Sequence, residues 1–154
     1  MATWYSDVAA DADNAWQCPT GAVVVPFSVS LTTALAAADV IELVKIPNNA
    51  VLLDFTMDVT DLDTNATPTL TLDIGDDAVA NRFVAASSIG QAGGRLTYGE
   101  DGAADTLPRQ YSKQTGSGHT DSKFRATVNV AAATPAAGTI KGYVTYTNQA
   151  KNAV

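Results

Sequence analysis

Two short stretches of the sequence combine residue types that could do chemistry. The first, Asp61-Leu-Asp63-Thr-Asn65, spaces oxygen ligands as the start of a calcium-binding EF-hand loop does. Ala66 stands where that loop needs glycine and Leu72 where it needs glutamate, so the EF-hand interpretation fails. Turn-forming residues explain the stretch more simply, and a structural cation at loop junctions or between subunits is the alternative. That alternative would draw on Asp58, Asp61, Asp63, Asn65, Asp73, Asp76 and Asp77.

The second stretch, residues 116–121, brings Ser117, the sole histidine His119 and Asp121 close together in sequence. Members of a catalytic triad normally come from separate elements that converge in space, so adjacency alone does not activate a serine. A zinc site built on this histidine would need carboxylates and Cys18, which is an unusual ligand set. We therefore interpret the stretch as a surface loop and predict no catalytic, metal-binding or cofactor-binding residues.

A third group of residues suits binding rather than catalysis. Trp4, Tyr5 and Trp16 are spaced along an acidic, alanine-rich N-terminal arm, residues 1–20. Large aromatic side chains dominate the energetics of protein interfaces, so these three are the candidate interface residues. The alternative for Trp16 is that it covers the core of its own domain.

Composition limits the function further. The chain has 154 residues, the length of about one domain, and a net charge of −7. This charge argues against nucleic-acid binding, which needs clustered Lys and Arg. Only two of the 16 acidic residues are glutamate, which suits strands and turns better than helix surfaces. We see no secretory signal and no apolar run long enough for a membrane helix, so we expect synthesis in the cytoplasm and no membrane partner.

Alternating polarity predicts the strands. The clearest is Ala50 to Thr60, where one face carries Val51, Leu53, Phe55, Met57 and Val59. A polar turn and a second alternating stretch, residues 69–74, follow it, so we predict a long-tipped β-hairpin with Thr and Asp on its outer face. Further strands are predicted at 22–30, where Pro26 marks an edge or a bulge, and at 40–46, 124–130 and 140–147.

The remaining segments complete the predicted architecture. Residues 78–89 have the only helical character, and residues 91–118 form a long Gly-rich loop with brief strands around 96–98 and 107–111. We predict an all-β fold, an antiparallel β-sandwich of jelly-roll-like form with one short helix. A single sandwich domain spans 21–154 and follows the arm.

Several segments resemble a known family. They are the stretch from Ile41 to Phe55, Asp58 to Asp63, Leu72-Asp-Ile-Gly-Asp76 and Asn81 to Gly94. These segments are similar to small virion proteins of tailed bacteriophages, of the head decoration or cement type. The resemblance implies a non-enzymatic protein that binds the outer surface of the head and contacts the major capsid protein and its own copies. It also implies a homo-oligomer, expected to be a trimer around a local threefold axis.

Two other functions stay open at this point. A carbohydrate- or receptor-binding β-sandwich of a phage fibre or tail could use Tyr98, Tyr111 and the Asp-rich loops. A hydrolase could use Ser117 or a carboxylate pair such as Glu42 and Glu100, but nothing in the sequence brings these groups to a cleft. The hydrolase ranks far behind the other two.

Overall fold

The computed structural model describes residues 1–5, 21–32, 34–47, 50–98, 109–110, 114–115, 118–119 and 122–148. Among these residues, no helix is long and apolar enough to cross a membrane. The described elements are β1 (Thr3–Tyr5), β2 (Ala22–Leu31), β3 (Val40–Ile46), β4 (Ala50–Val59), β5 (Thr71–Asp76), β6 (Val84–Ser87), a 3-10 turn (Ile89–Gln91), β7 (Gly94–Thr97), β8 (Arg109–Gln110), β9 (Gln114–Thr115), β10 (Gly118–His119), β11 (Ser122–Val130) and β12 (Gly138–Asn148).

Two sheets pack face to face and confirm the predicted all-β sandwich. One has the order β1-β3-β11-β5-β6 and the other β2-β12-β4-β7, with β8 also pairing with β4. The pairs are antiparallel except for β1, which runs parallel to β3. The jelly-roll form stays a prediction.

An aromatic cluster lies between the sheets. The ring centroids of Phe55 and Phe124 are 5.1 Å apart, and Phe83 lies 5.9 Å from Phe124. All three side chains are fully buried, and Phe27 extends the cluster toward β2. Tilted rings at these separations add to the stabilisation from apolar burial, so this cluster is the centre of the core.

The predicted hairpin is wrong. β4 pairs with β12, β7 and β8, whereas β5 pairs with β11 and β6 in the opposite sheet. The connection over residues 60–70 therefore crosses from one sheet to the other. Alternating polarity shows that each strand has one buried face, but it does not show which neighbour the strand pairs with.

The predicted alternation of β4 is also wrong in its first half. Ala50 and Leu52 are buried while Leu53 is 37% exposed, and only from Phe55 onward do Met57 and Val59 follow as predicted. The physical reason is an irregularity in the pairing with β12, where Thr145 faces Asp54 but Tyr146 already faces Leu52. The extra residue reverses the direction of the side chains on either side of it.

Other predictions have mixed outcomes. Pro26 lies in β2, an edge strand of its sheet, as predicted. The helical character expected for residues 78–89 is reduced to the 3-10 turn, because most of the segment is a turn followed by β6. Within the predicted Gly-rich loop, β7 and β8 match the two brief strands, and residues 99–108 and 111–113 lie outside the described residues.

Candidate interaction surface

The outer face of the β2-β12-β4-β7 sheet is the candidate interaction surface. Strand register arranges its side chains in three rows that cross the strands. The lysine row contains Ser28, Lys141, Asp58 and Arg95. The tyrosine row contains Pro26, Tyr143, Thr56 and Thr97. The aspartate row contains Val24, Thr145 and Asp54.

The outer face exposes apolar groups in its central row and in the aspartate row beside it. Val24 is 59% exposed and Tyr143 is 40% exposed, and the exposed Pro26 lies opposite Tyr143 on the neighbouring strand. These residues lie on the solvent-facing side of their strands, whereas Val25 and Val144 on the other side are buried in the core. Neighbouring exposed apolar side chains on the solvent side of a sheet make this face a candidate for contact with another molecule.

An ion pair lies at one end of the outer face. Arg95 donates from Nε to Asp58 Oδ1 at 2.8 Å and from its terminal nitrogen to Oδ2 at 3.1 Å. The bond from Arg95, aided by nearby Lys141, holds the pKa of Asp58 below its ordinary value, and Asp58 raises the pKa of Arg95. These charged groups border an open groove of about 510 Å³ that Thr60 and Thr139 also line. Because Asp58 neutralises Arg95, Lys141 leaves the groove with one net positive charge.

The opposite end of the outer face is anionic. Asp54 is exposed, and its Oδ1 accepts the backbone N–H of the next residue, Phe55, at 2.8 Å. Neither Asp54 nor Lys141 has an ion-pair partner in the described part of the chain. The face therefore has a cationic end and an anionic end, with apolar groups between them.

Asp63 forms a second polar cluster, which is closed. Its Oδ2 accepts N–H bonds from Thr69 at 2.7 Å, Leu70 at 3.1 Å and Ala133 at 2.9 Å. Its Oδ1 accepts from Thr134 at 2.8 Å and from Asn65 at 3.4 Å. The side chain is buried, which raises its pKa, but these donors outweigh the burial and hold the pKa well below its ordinary value.

The Asp63 bonds tie two connections together. Residues 60–70 join β4 to β5, and residues 131–137 join β11 to β12, so one carboxylate fixes both crossings between the sheets. Five N–H groups point at this carboxylate, so its lone pairs accept these hydrogen bonds and are not available to bind a cation. We call this cluster the Asp63 corner.

Two other buried aspartates, Asp76 and Asp39, are satisfied in a similar way. Asp76 accepts from the N–H groups of Ala78 and Val79 and from Arg82 Nε at 2.6 Å. Asp39 accepts from the N–H groups of Ala2 and Ala36; burial raises its pKa, but these bonds outweigh that effect and lower it. No group of three potential metal ligands occurs among the described residues.

Two solved structures resemble the chain. A chain in the capsid of Ralstonia phage GP4 is 28% identical with a TM-score of 0.75, and the match covers 96% of this chain and 99% of that chain. A chain in the capsid asymmetric unit of cyanophage Pam1 is 30% identical with a TM-score of 0.65, over 90% of this chain and 96% of that chain. No protein-family model matches, and no curated protein matches.

This chain belongs to a family of phage capsid structural proteins. The match is nearly complete on both sides, so it does not rest on one domain of a larger subunit. Identity of about 30% over that length extends the likeness beyond the fold. The capsid location expected from the resemblance is thereby confirmed at the level of a virion structural protein.

The structure describes the three aromatic residues predicted as capsid anchors to different extents. Trp4 lies in β1 and packs, partly buried, against the core of its own domain. Its Nε1 is buried and has no hydrogen-bond partner among the described residues. Tyr5 forms backbone pairs with Glu42, but its side chain lies outside the described residues, as does all of Trp16. The interface role of these three residues, and the boundary of the arm at residue 20, stay predictions.

The residues considered for catalysis or binding do not form a described site, and most of them lie outside the described ranges. Cys18, Glu100, Tyr111, Ser117 and Asp121 lie outside them. His119 contributes backbone pairs to β10. Glu42 is buried in β3 and accepts a 2.7 Å bond from Lys123, which suits a structural ion pair in this capsid protein.

The sequence interpretation missed the outer face. Val24 and Tyr143 are apolar residues in the polar phase of strands that were correctly predicted. An apolar residue at a position where alternation predicts a polar one could have indicated this face. The three rows, however, follow only from the strand order, because β2 and β12 are more than 100 residues apart in sequence.

Proposed function

We propose that this capsid protein is a decoration, or cement, protein. It binds the outer surface of the phage head and stabilises the head through contacts with the major capsid protein and with its own copies. The observation that carries the proposal is the nearly full-length match to chains in two phage capsids. The role is structural, and the buried aspartates Asp63, Asp76 and Asp39 support it because each accepts backbone N–H groups that hold connections of the fold in place.

The geometry is consistent with a protein that joins a shell after folding alone. The described core, the Asp63 corner and the pairings of the two sheets are all formed within one chain. The outer face remains available for contact. A net charge of −7 keeps free copies apart at long range before assembly.

The alternative of a glycan-binding fibre or tail protein receives no support from Tyr98. Its ring packs edge-on against Phe55, with centroids 6.1 Å apart, rather than standing free as a sugar platform. Tyr111 lies outside the described residues.

Heads assembled with and without the protein test the proposal. We expect heads that lack the protein to rupture at a lower temperature, and added purified protein to restore their stability. Equal rupture temperatures with and without bound protein would contradict the cementing role.

The anchor residues require a matched pair of variants. If Trp16 anchors the protein to the head, Trp16→Ala will weaken head binding and leave the melting temperature of the free protein unchanged. Trp4→Ala is the control for a core role, because Trp4 packs on its own domain and its loss will lower that melting temperature. Wild-type head binding by Trp16→Ala would remove this residue from the interface.

A further inference from the structure

The three rows of the outer face have a charge order with a consequence for assembly. The lysine row carries one net positive charge, because Asp58 and Arg95 neutralise each other beside Lys141. The tyrosine row is uncharged, and the aspartate row carries the single negative charge of Asp54. Along a strand, successive rows are two residues or about 6.8 Å apart, so the charged rows are separated by about 14 Å.

This order is self-complementary under one rotation. A twofold axis that lies in the plane of the contact, passes through the tyrosine row and runs across the strands exchanges the two ends of the face. It places the lysine row of each copy over the aspartate row of the other, so that Lys141 lies over Thr145 of the second copy and one strand, or about 4.8 Å, to the side of its Asp54. Tyr143 then lies against its own equivalent, which is how isologous contacts work.

We propose that the outer face binds the outer face of a second copy of this chain across such a twofold axis. This proposal identifies the surface through which copies of the chain contact each other. It rests on the proposed function, which places those copies on the head. Charge identifies the second copy as the occupant, because Lys141 and Asp54 lack ion-pair partners in the described part of the chain and have opposite signs at opposite ends of the same face. Burying Val24 and Tyr143 supplies the apolar part of the contact.

The edge of the sheet is less suited to this contact than its face. β2 is an edge strand, and Pro26 lies at its middle, opposite Tyr143. A proline fits into this ladder only where its nitrogen points to the free edge, so it interrupts the row of N–H donors that an added strand would need.

Charge reversal of each end tests the twofold geometry with the full-length protein alone. In sedimentation equilibrium we expect concentration-dependent self-association of the wild type. Lys141→Glu makes both ends anionic and Asp54→Lys makes both ends cationic, so each variant alone will self-associate at least tenfold more weakly. An equimolar mixture of the two will recover association, because anionic ends then meet cationic ends. The double variant Lys141→Glu/Asp54→Lys will recover it as well.

Two controls separate this effect from misfolding and from net charge. Lys45→Glu makes the same change in charge on the other sheet and is expected to associate as the wild type does. Circular dichroism and thermal melting check that each variant is folded. Tyr143→Thr removes the apolar centre of the face. It will weaken self-association of the otherwise wild-type protein, and it will also weaken the mixture of Lys141→Glu and Asp54→Lys when both proteins carry it.

Three results would overturn the inference: a wild type that stays monomeric, single variants that associate as the wild type does, or a mixture and double variant that do not recover. Binding of the same proteins to heads distinguishes this failure from failure of the proposed function. Head binding without self-association through this face would reject the twofold contact and keep the decoration role. Self-association without head binding would do the reverse.

Discussion

Asp63 and Asp58 are the same residue type on the same acidic chain, yet the structure uses them in opposite ways. Asp63 is buried in a corner where five backbone N–H groups converge on one carboxylate. Asp58 lies on the outer face, partly open to solvent, and is held by a single side chain, Arg95. The difference shows that the acidity of the chain has two functions: some carboxylates fix the connections between the sheets, and others determine the charge pattern of a surface.

The largest effect on stability is expected at the Asp63 corner. Asp63→Ala leaves five N–H groups without their acceptor and releases both connections between the sheets, so the melting temperature should fall by about 10 °C or more. Asp61→Ala is the matched control, because the Asp61 side chain accepts one N–H bond at the exposed start of the same loop. Equal losses in the two variants would contradict the special role of the corner.

The next effect compares two neighbouring residues of β12. Gly142 faces the core, where an added methyl group would collide with the backbone of Thr56 and Met57 and with the ring of Phe27. Gly142→Ala should therefore destabilise the protein by about 1–3 kcal/mol in urea unfolding. Tyr143→Thr, on the solvent side of the strand, should change stability far less. A Gly142→Ala protein as stable as Tyr143→Thr would show that the strands separate more easily than this packing implies.

The pH dependence of stability tests the role of the Asp63 carboxylate. Because the folded-state pKa of Asp63 is depressed, its contribution to stability is complete above the unfolded-state pKa of about 4 and is lost as the pH falls toward the folded-state value. Asp39 has a lowered pKa as well and acts in the same direction. Thermal melting between about pH 5 and 2 should show a steeper fall for the wild type than for Asp63→Asn. Parallel curves would remove Asp63 as a source of the acid sensitivity.

The smallest effect on stability is expected at the exposed ion pair. Arg95→Gln removes the partner of Asp58, but both side chains are partly solvated, so the melting temperature should change by no more than about 2 °C. Lys141→Gln makes the same change in charge without breaking a bond and serves as its control. A loss at Arg95 comparable to that at Asp63 would mean that the outer face is part of the structural framework.

These contrasts also explain how far the sequence could be interpreted. Strand positions followed from local alternation, and the edge location of β2 followed from Pro26, because both signals act within a few residues. The pairing of β4 with β12 instead of β5 joins distant parts of the chain, and so does the Asp63 corner, where the Ala133 donor lies 70 positions from Asp63. Nothing local to residues 61–63 indicates those partners.

The bulge at Leu53 and the outer face were hidden for related reasons. Five alternating apolar residues masked the register shift, since Leu52 and Leu53 are equally apolar and only the pairing with Tyr146 decides which one is buried. The lysine, tyrosine and aspartate rows draw on four strands from distant parts of the chain. The capsid role came from resemblance and from the structural neighbours rather than from any catalytic or ligand-binding pattern.

The most direct test of the account measures binding to heads. Purified protein is added to heads assembled without it, unbound protein is removed, and the bound copies per head are counted by quantitative gel analysis and located by electron cryomicroscopy. We expect saturable binding at a fixed ratio to the major capsid protein, with the bound copies on the outer surface of the head. Absence of saturable binding, or density confined to the interior or to the tail, would contradict it.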